Sequence, residues 1–103
     1  STRCAVVAAV VTSVCISVAQ ADEALFRQKC GMCHLAGGTG TFMLARRLGA
    51  EKALLENRRD LDARLITQVV RSGIVSMPRF TRAELPDDQL KSIATYLSKR
   101  DAE

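Results

Sequence analysis

Apolar residues recur along this chain at helical spacing. From Asp60 onward, Leu61, Leu65, Ile66, Val69 and Val70 fall on one face of a 3.6-residue period. Asp60 suits the N-cap of that helix and Gly73 its left-handed C-terminal cap. A second stripe, Leu90, Ile93, Ala94 and Leu97 with Tyr96 at its flank, predicts a last helix. Pro86 opens it, Asp87 and Asp88 suit its first turn, and Lys99 and Arg100 suit its end. Near the start, Ala24, Leu25 and Phe26 predict a short helix over 22–29, with Asp22 and Glu23 at its positive end. Residues 51–56, carrying Leu54 and Leu55 and closed by Arg58 and Arg59, read as another short helix. Leu35 to Thr41 holds Gly37, Gly38 and Gly40 and predicts a loop, as does Ile74 to Phe80 around Pro78. No segment alternates with period two long enough for a strand, and there is no internal repeat. The pattern predicts an all-α fold of three to five short helices.

The first residues follow another logic. Arg3 is the one charge before an apolar run from Cys4 to Val18, and Ala19-Gln20-Ala21 follows. A basic start, a short apolar stretch and an A-x-A-like site predict a secretory signal peptide over 1–21, cut after Ala21. The run is short for a spanning helix. Lipid attachment at Cys15 is disfavoured by the bulky Val14 directly before it. Residues 22–103 are then an exported, periplasmic domain with no stable membrane insertion. An uncleaved N-terminal anchor is the alternative.

A chain of 103 residues makes one domain, and three Phe, one Tyr and no Trp make a thin core. A domain this small needs a staple. The net charge of +4 falls once Arg3 is removed, and no basic run is interleaved with aromatics, which excludes a nucleic-acid reading.

The staple is written in Cys30-Gly31-Met32-Cys33-His34, since C-x-x-C-H is the attachment signature of a c-type haem. Two thiols about one helical turn apart can each add to a vinyl group of one porphyrin, forming two thioethers. The histidine that follows supplies one axial nitrogen. Zinc usually needs four ligands, but Cys4 and Cys15 lie in the apolar run and there is no second histidine. A thioredoxin-like pair wants a βαβ context, and a structural disulfide leaves His34 unexplained. One haem c, held by Cys30 and Cys33 and ligated by His34, is the expectation.

A single histidine excludes bis-histidine ligation within one chain. The sixth position is left to a methionine, a lysine, the N-terminal amine, water or nothing. Met32 lies between the attachment cysteines, and Met43 follows closely on the same side. Met77 comes after a helix able to carry the chain around the ring, and Pro78 stiffens it. It is the expected ligand, with a gap-filling core side chain as its alternative.

Three stretches together resemble the small class I cytochromes c of bacteria. Phe26 stands four residues before the attachment motif. Val70-Arg71-Ser72-Gly73-Ile74-Val75-Ser76-Met77-Pro78-Arg79-Phe80 is similar to the family's V-x-x-G-x-x-x-M-P-x-F segment. Ile93-Ala94-Thr95-Tyr96-Leu97 resembles its aromatic-containing C-terminal helix. The resemblance spans nearly all of residues 22–103 and implies a cytochrome c-like fold wrapped around one haem. It departs twice. The family often has Gly-Pro-x-Leu after the histidine, with the proline carbonyl orienting the imidazole; here Thr41-Phe42-Met43-Leu44 occupies that place. A backbone carbonyl is still expected to serve, with Leu44 on the proximal haem face. The family also often has a small residue at the helix crossing, near where Asp22 stands. Arg46 and Arg47 either reach a haem propionate or are solvated.

These readings converge on an electron carrier, not an enzyme. Its redox partner is a periplasmic dehydrogenase or a terminal oxidase, with Arg79 and Arg82 as candidate rim charges. The competing class is a haem-based gas sensor or small peroxidase with an open or displaceable sixth position. It lacks a distal histidine and an acid–base pair near the motif.

Overall fold

The computed structural model describes residues 18–98, with side chains in the first helix from residue 22 on. The expected signal peptide therefore lies outside the described residues except for 18–21, which are helical. Four helices follow in order: α1 (Val18–His34), α2 (Thr39–Leu48), α3 (Ala63–Ser72) and α4 (Asp87–Ser98). Two 3₁₀ turns, Ala50–Lys52 and Leu55–Asn57, join α2 to α3. Among the described residues there is no strand, only an isolated bridge between Ile74 and Met77. The all-α expectation holds.

The core is built where α4 crosses the other helices. α4 packs on both α1 and α3, while α2 packs on α1 and on the first 3₁₀ turn. Phe26 of α1 and Leu85, just before α4, are sealed from solvent with Ile93. Burying each such side chain is worth about 1.5–3 kcal/mol. Around them close Leu61, Val70, Leu90, Tyr96 and Leu97. The Phe26 and Tyr96 rings meet at 6.0 Å and 42°, a tilted pair of the kind aromatic quadrupoles favour. The Tyr96 hydroxyl donates to Glu56 Oε2 at 2.6 Å, and Arg27 donates to the same carboxylate at 3.0 and 3.3 Å. One acid thus ties α1, the second 3₁₀ turn and α4 together. Asp22 is buried as well, so the place where the family favours a small residue holds a carboxylate out of water here.

Several local expectations are corrected. α1 is described from Val18, four residues before Asp22, and runs through the attachment motif, so it is longer than the expected 22–29 helix and Asp22 and Glu23 lie within it. The glycine-rich loop is shorter than expected, because α2 starts at Thr39 and takes Gly40 into its first turn. Gly38 there is an N-cap with no side-chain bond. The short helix over 51–56 is two 3₁₀ turns with Ala53 and Leu54 between them. Asp60 is not the cap of α3. Asp62 caps it, its side chain accepting from Arg64 N at 2.8 Å, while Asp60 pairs with Arg58 at 2.8 Å and Lys52 at 3.3 Å. The apolar stripe reaches the cap either way, so periodicity alone could not choose between two aspartates. Gly73 does end α3, but with ψ at 163°, an extended glycine conformation rather than a left-handed helical one. α4 matches its stripe closely, with Leu90, Ile93, Ala94, Tyr96 and Leu97 all buried. Lys99 and Arg100 fall outside the described residues. Among the described residues, no helix is long and apolar enough to cross a membrane.

Candidate haem site

The last turn of α1 carries three candidate residues. Cys30 is half-buried, Cys33 is exposed, both are free thiols, and His34 is half-buried at the helix end. Their spacing follows from the helix, which places residues three and four apart on adjoining positions of one face. Cys30 packs against the core cluster that holds Phe26, its neighbour one turn back. Burial, with the Cys33 charge second, pushes the Cys30 thiol up to about 11, so it is protonated at neutral pH. Burial also lowers His34 below the usual histidine range, which favours the neutral imidazole that binds a metal.

The start of α2 lies close to the imidazole and is tied to the end of α1. The Thr41 hydroxyl donates to the Leu35 carbonyl at 2.7 Å, and Gly38 N donates to the same oxygen at 3.0 Å. At Gly40 an added Cβ would stand 2.8 Å from the Cys33 oxygen and 3.1 Å from His34 Cε1, so only glycine lets α2 come this close. Nδ1 of His34 is buried and no described residue accepts from it. The expected backbone carbonyl is therefore not found there. Because α2 has already begun, the carbonyls of that stretch turn along the helix axis, as that of Gly38 does to Phe42 N at 3.0 Å.

Met77 lies in the connection from α3 to α4, half-buried against the same core cluster that Cys30 borders. Its backbone closes a four-residue turn: Met77 N donates to Ile74 O at 2.8 Å and Ile74 N to Met77 O at 3.1 Å. Gly73 sits beneath this turn at φ 76°, and a Cβ there would meet Met77 O and Arg79 N, each at 3.0 Å. Within the turn, Val75 is the one non-glycine among the described residues with positive φ, at 52°. A β-branched side chain in that region costs about 1–2 kcal/mol. The neck of the loop is tied by Phe80 N to Val70 O at 2.8 Å. Arg71 also spans it, donating to the Phe80 carbonyl at 3.1 Å and to Asp87 at 2.6 Å.

The surroundings fit a large apolar prosthetic group. α2 has no buried residue, with Phe42 and Met43 exposed and Leu44 half-covered. On α3 only Val70 is buried, and Leu65 of the predicted stripe is 49 % exposed. Uncovered apolar residues on two helices, in a chain that carries a thiol pair, an imidazole and a thioether, suit a covalent haem. Of the flanking charges, Arg46 lies over the Phe42 ring at 5.8 Å and Arg82 pairs with Asp87 at 3.0 Å, while Arg79 is exposed. Arg71, Glu56 and Asp62 were not singled out by sequence. Nothing in the helical period marks an arginine whose partners lie nine and sixteen residues ahead.

No curated protein and no solved structure matches the chain. A family model does, over residues 18–97, under the description cytochrome c oxidase, cbb3-type, subunit III. That domain binds c-type haem, the group that the attachment motif and the uncovered faces of α2 and α3 call for. With most of its length matched, and with an all-α fold around that motif, the chain belongs to this family of small monohaem c-type cytochrome domains.

Proposed function

We propose that the protein is a one-electron carrier whose haem is attached through Cys30 and Cys33 and ligated by His34 and Met77. One observation carries the reading: Cys30, on the attachment turn, and Met77, on the loop after α3, border one apolar cluster although they are far apart in the chain. When bound, the haem iron supplies a one-electron couple. The chain's part is to set its potential and shield it. His34 presents a neutral imidazole, Met77 a thioether that favours the ferrous state, and the cluster around Phe26 and Val70 a dry wall. A haem held by both His34 and Met77 would leave no open place for substrate at its iron. Export to the periplasm after cleavage at Ala21 goes with this role. So does a redox partner, a periplasmic dehydrogenase or a terminal oxidase, docking through a small transient surface near exposed Arg79.

The test is the absorption spectrum of the ferric protein made with haem-attachment machinery. A weak near-infrared sulfur-to-iron band that disappears in Met77→Ala is the expected result. A high-spin spectrum without the band, shifted readily by carbon monoxide or cyanide, overturns it in favour of a sensor or peroxidase.

A further inference from the structure

The loop that carries Met77 contains a conflict. Val75 is held at φ 52°, a region a β-branched residue avoids, with its side chain 71 % exposed and little packing to compensate. Left to itself, the turn has reason to relax, and relaxing Val75 pulls on the Ile74–Met77 pair that fixes Met77. Something must hold the loop closed from outside.

We infer that Arg71 is the positioning residue that does so. Its guanidinium donates to the neck of the loop, through the Phe80 carbonyl at 3.1 Å. Its other nitrogen is anchored at 2.6 Å by Asp87, the first residue of α4, so the loop is fastened to a helix that belongs to the core. Arg71 is itself mostly covered, with its side chain 18 % exposed, while Asp87 stands open to solvent, so it is the guanidinium and its bond to the carbonyl that are shielded. A guanidinium suits this task because its fork reaches a carbonyl and a carboxylate at once, which an ammonium does less well. Asp87 is shared with Arg82 at 3.0 Å, so its carboxylate stays fixed between two cations. Arg71 thus acts on the iron only through Met77, by setting how often the loop opens.

This inference rests on Met77 ligation, and the experiment separates the two. Imidazole binds iron only when Met77 has left, so its apparent affinity scales with the open fraction of the loop. Arg71→Met is expected to raise that affinity roughly tenfold. It should also lower the temperature at which the near-infrared band disappears more than it lowers the helical melt. Arg71→Lys should fall between. Adding Val75→Asn, whose side chain tolerates positive φ, should restore much of the parent behaviour. An unchanged imidazole affinity in Arg71→Met, or a band lost only in step with the helices, overturns the inference. Amide exchange supplies a readout independent of ligation: the Met77 and Phe80 N–H groups should exchange faster in Arg71→Met. If the parent shows no band, ligation by Met77 fails. The Arg71 role then stands or falls on those two amides.

Discussion

The α1–α4 crossing, on the one hand, and α2, α3 and the Met77 loop, on the other, use similar residues to different ends. At the crossing, Phe26, Ile93 and Leu97 are shut away from water, and an aromatic pair and the Glu56 hydrogen bonds fix the geometry. In the second group, Phe42, Met43, Leu65, Ile74 and Val75 remain exposed, and order comes from backbone turns, Gly40, Gly73 and the Arg71 bridges. The first region completes its own core; on the proposed reading, the haem would supply what covers the second. A chain this short with four aromatics lacks the apolar surface to do both.

The comparison is broken most directly by withholding the haem. Protein made without attachment machinery is expected to keep slowed amide exchange in α1 and α4 and to lose it in α2 and α3. Equal protection across all four helices would show that the two regions are not different in kind. A pair of substitutions sharpens the contrast. Phe26→Ala should cost about 3–5 kcal/mol with or without haem, enough to unfold a marginal domain. Leu65→Ala should cost under about 1 kcal/mol in the haem-free chain and about 2 kcal/mol or more once haem covers it. Urea titrations of both forms measure this, and equal Leu65 costs would count against α3 as a haem wall.

The smallest effect expected is with acid. Asp60 is held below the usual carboxylate range chiefly by its Arg58 hydrogen bond, and Asp87 by Arg82 and then Arg71. Backbone and hydroxyl bonds from Thr81 lower Glu84 likewise. Each binds a proton less readily folded than unfolded. Its stabilisation is therefore present above an unfolded value near 4 and is lost as pH falls through the folded one. All three are exposed, so the loss in melting temperature should be small and screened by salt. Asp87→Asn should flatten the acid limb and also loosen the Met77 loop, whereas Asp60→Asn should do only the first. If both loosen the loop, the Arg71–Asp87 link is not special.

Much of the site was legible because its chemistry is local. Thiol spacing and the adjacent histidine are fixed within one helical turn, so the proposal of Cys30, Cys33 and His34 comes directly from the motif. The proposal of Met77 needed elimination as well as pattern. What escaped were contacts between distant residues: Asp22 out of water, the Tyr96–Glu56–Arg27 link across three elements, and Arg71 bridging Phe80 to Asp87. The His34 surroundings escaped for a related reason. Three glycines predicted loop by propensity, yet packing on α1 drew Gly40 into α2 and turned its carbonyls away from the imidazole.

The sequence by itself determined the helical class, the apolar stripes of α3 and α4, the attachment turn and the poverty of aromatics that makes a haem necessary. Those properties depend on period, spacing and composition, which the order of residues carries in full. Tertiary structure alone decided which aspartate caps α3, which helices share a core, that Nδ1 of His34 has no partner among the described residues, and that a strained Val75 is opposed by Arg71. Such outcomes are set by competition among distant groups for the same space and the same hydrogen bonds. That competition exists only once the chain has folded back on itself.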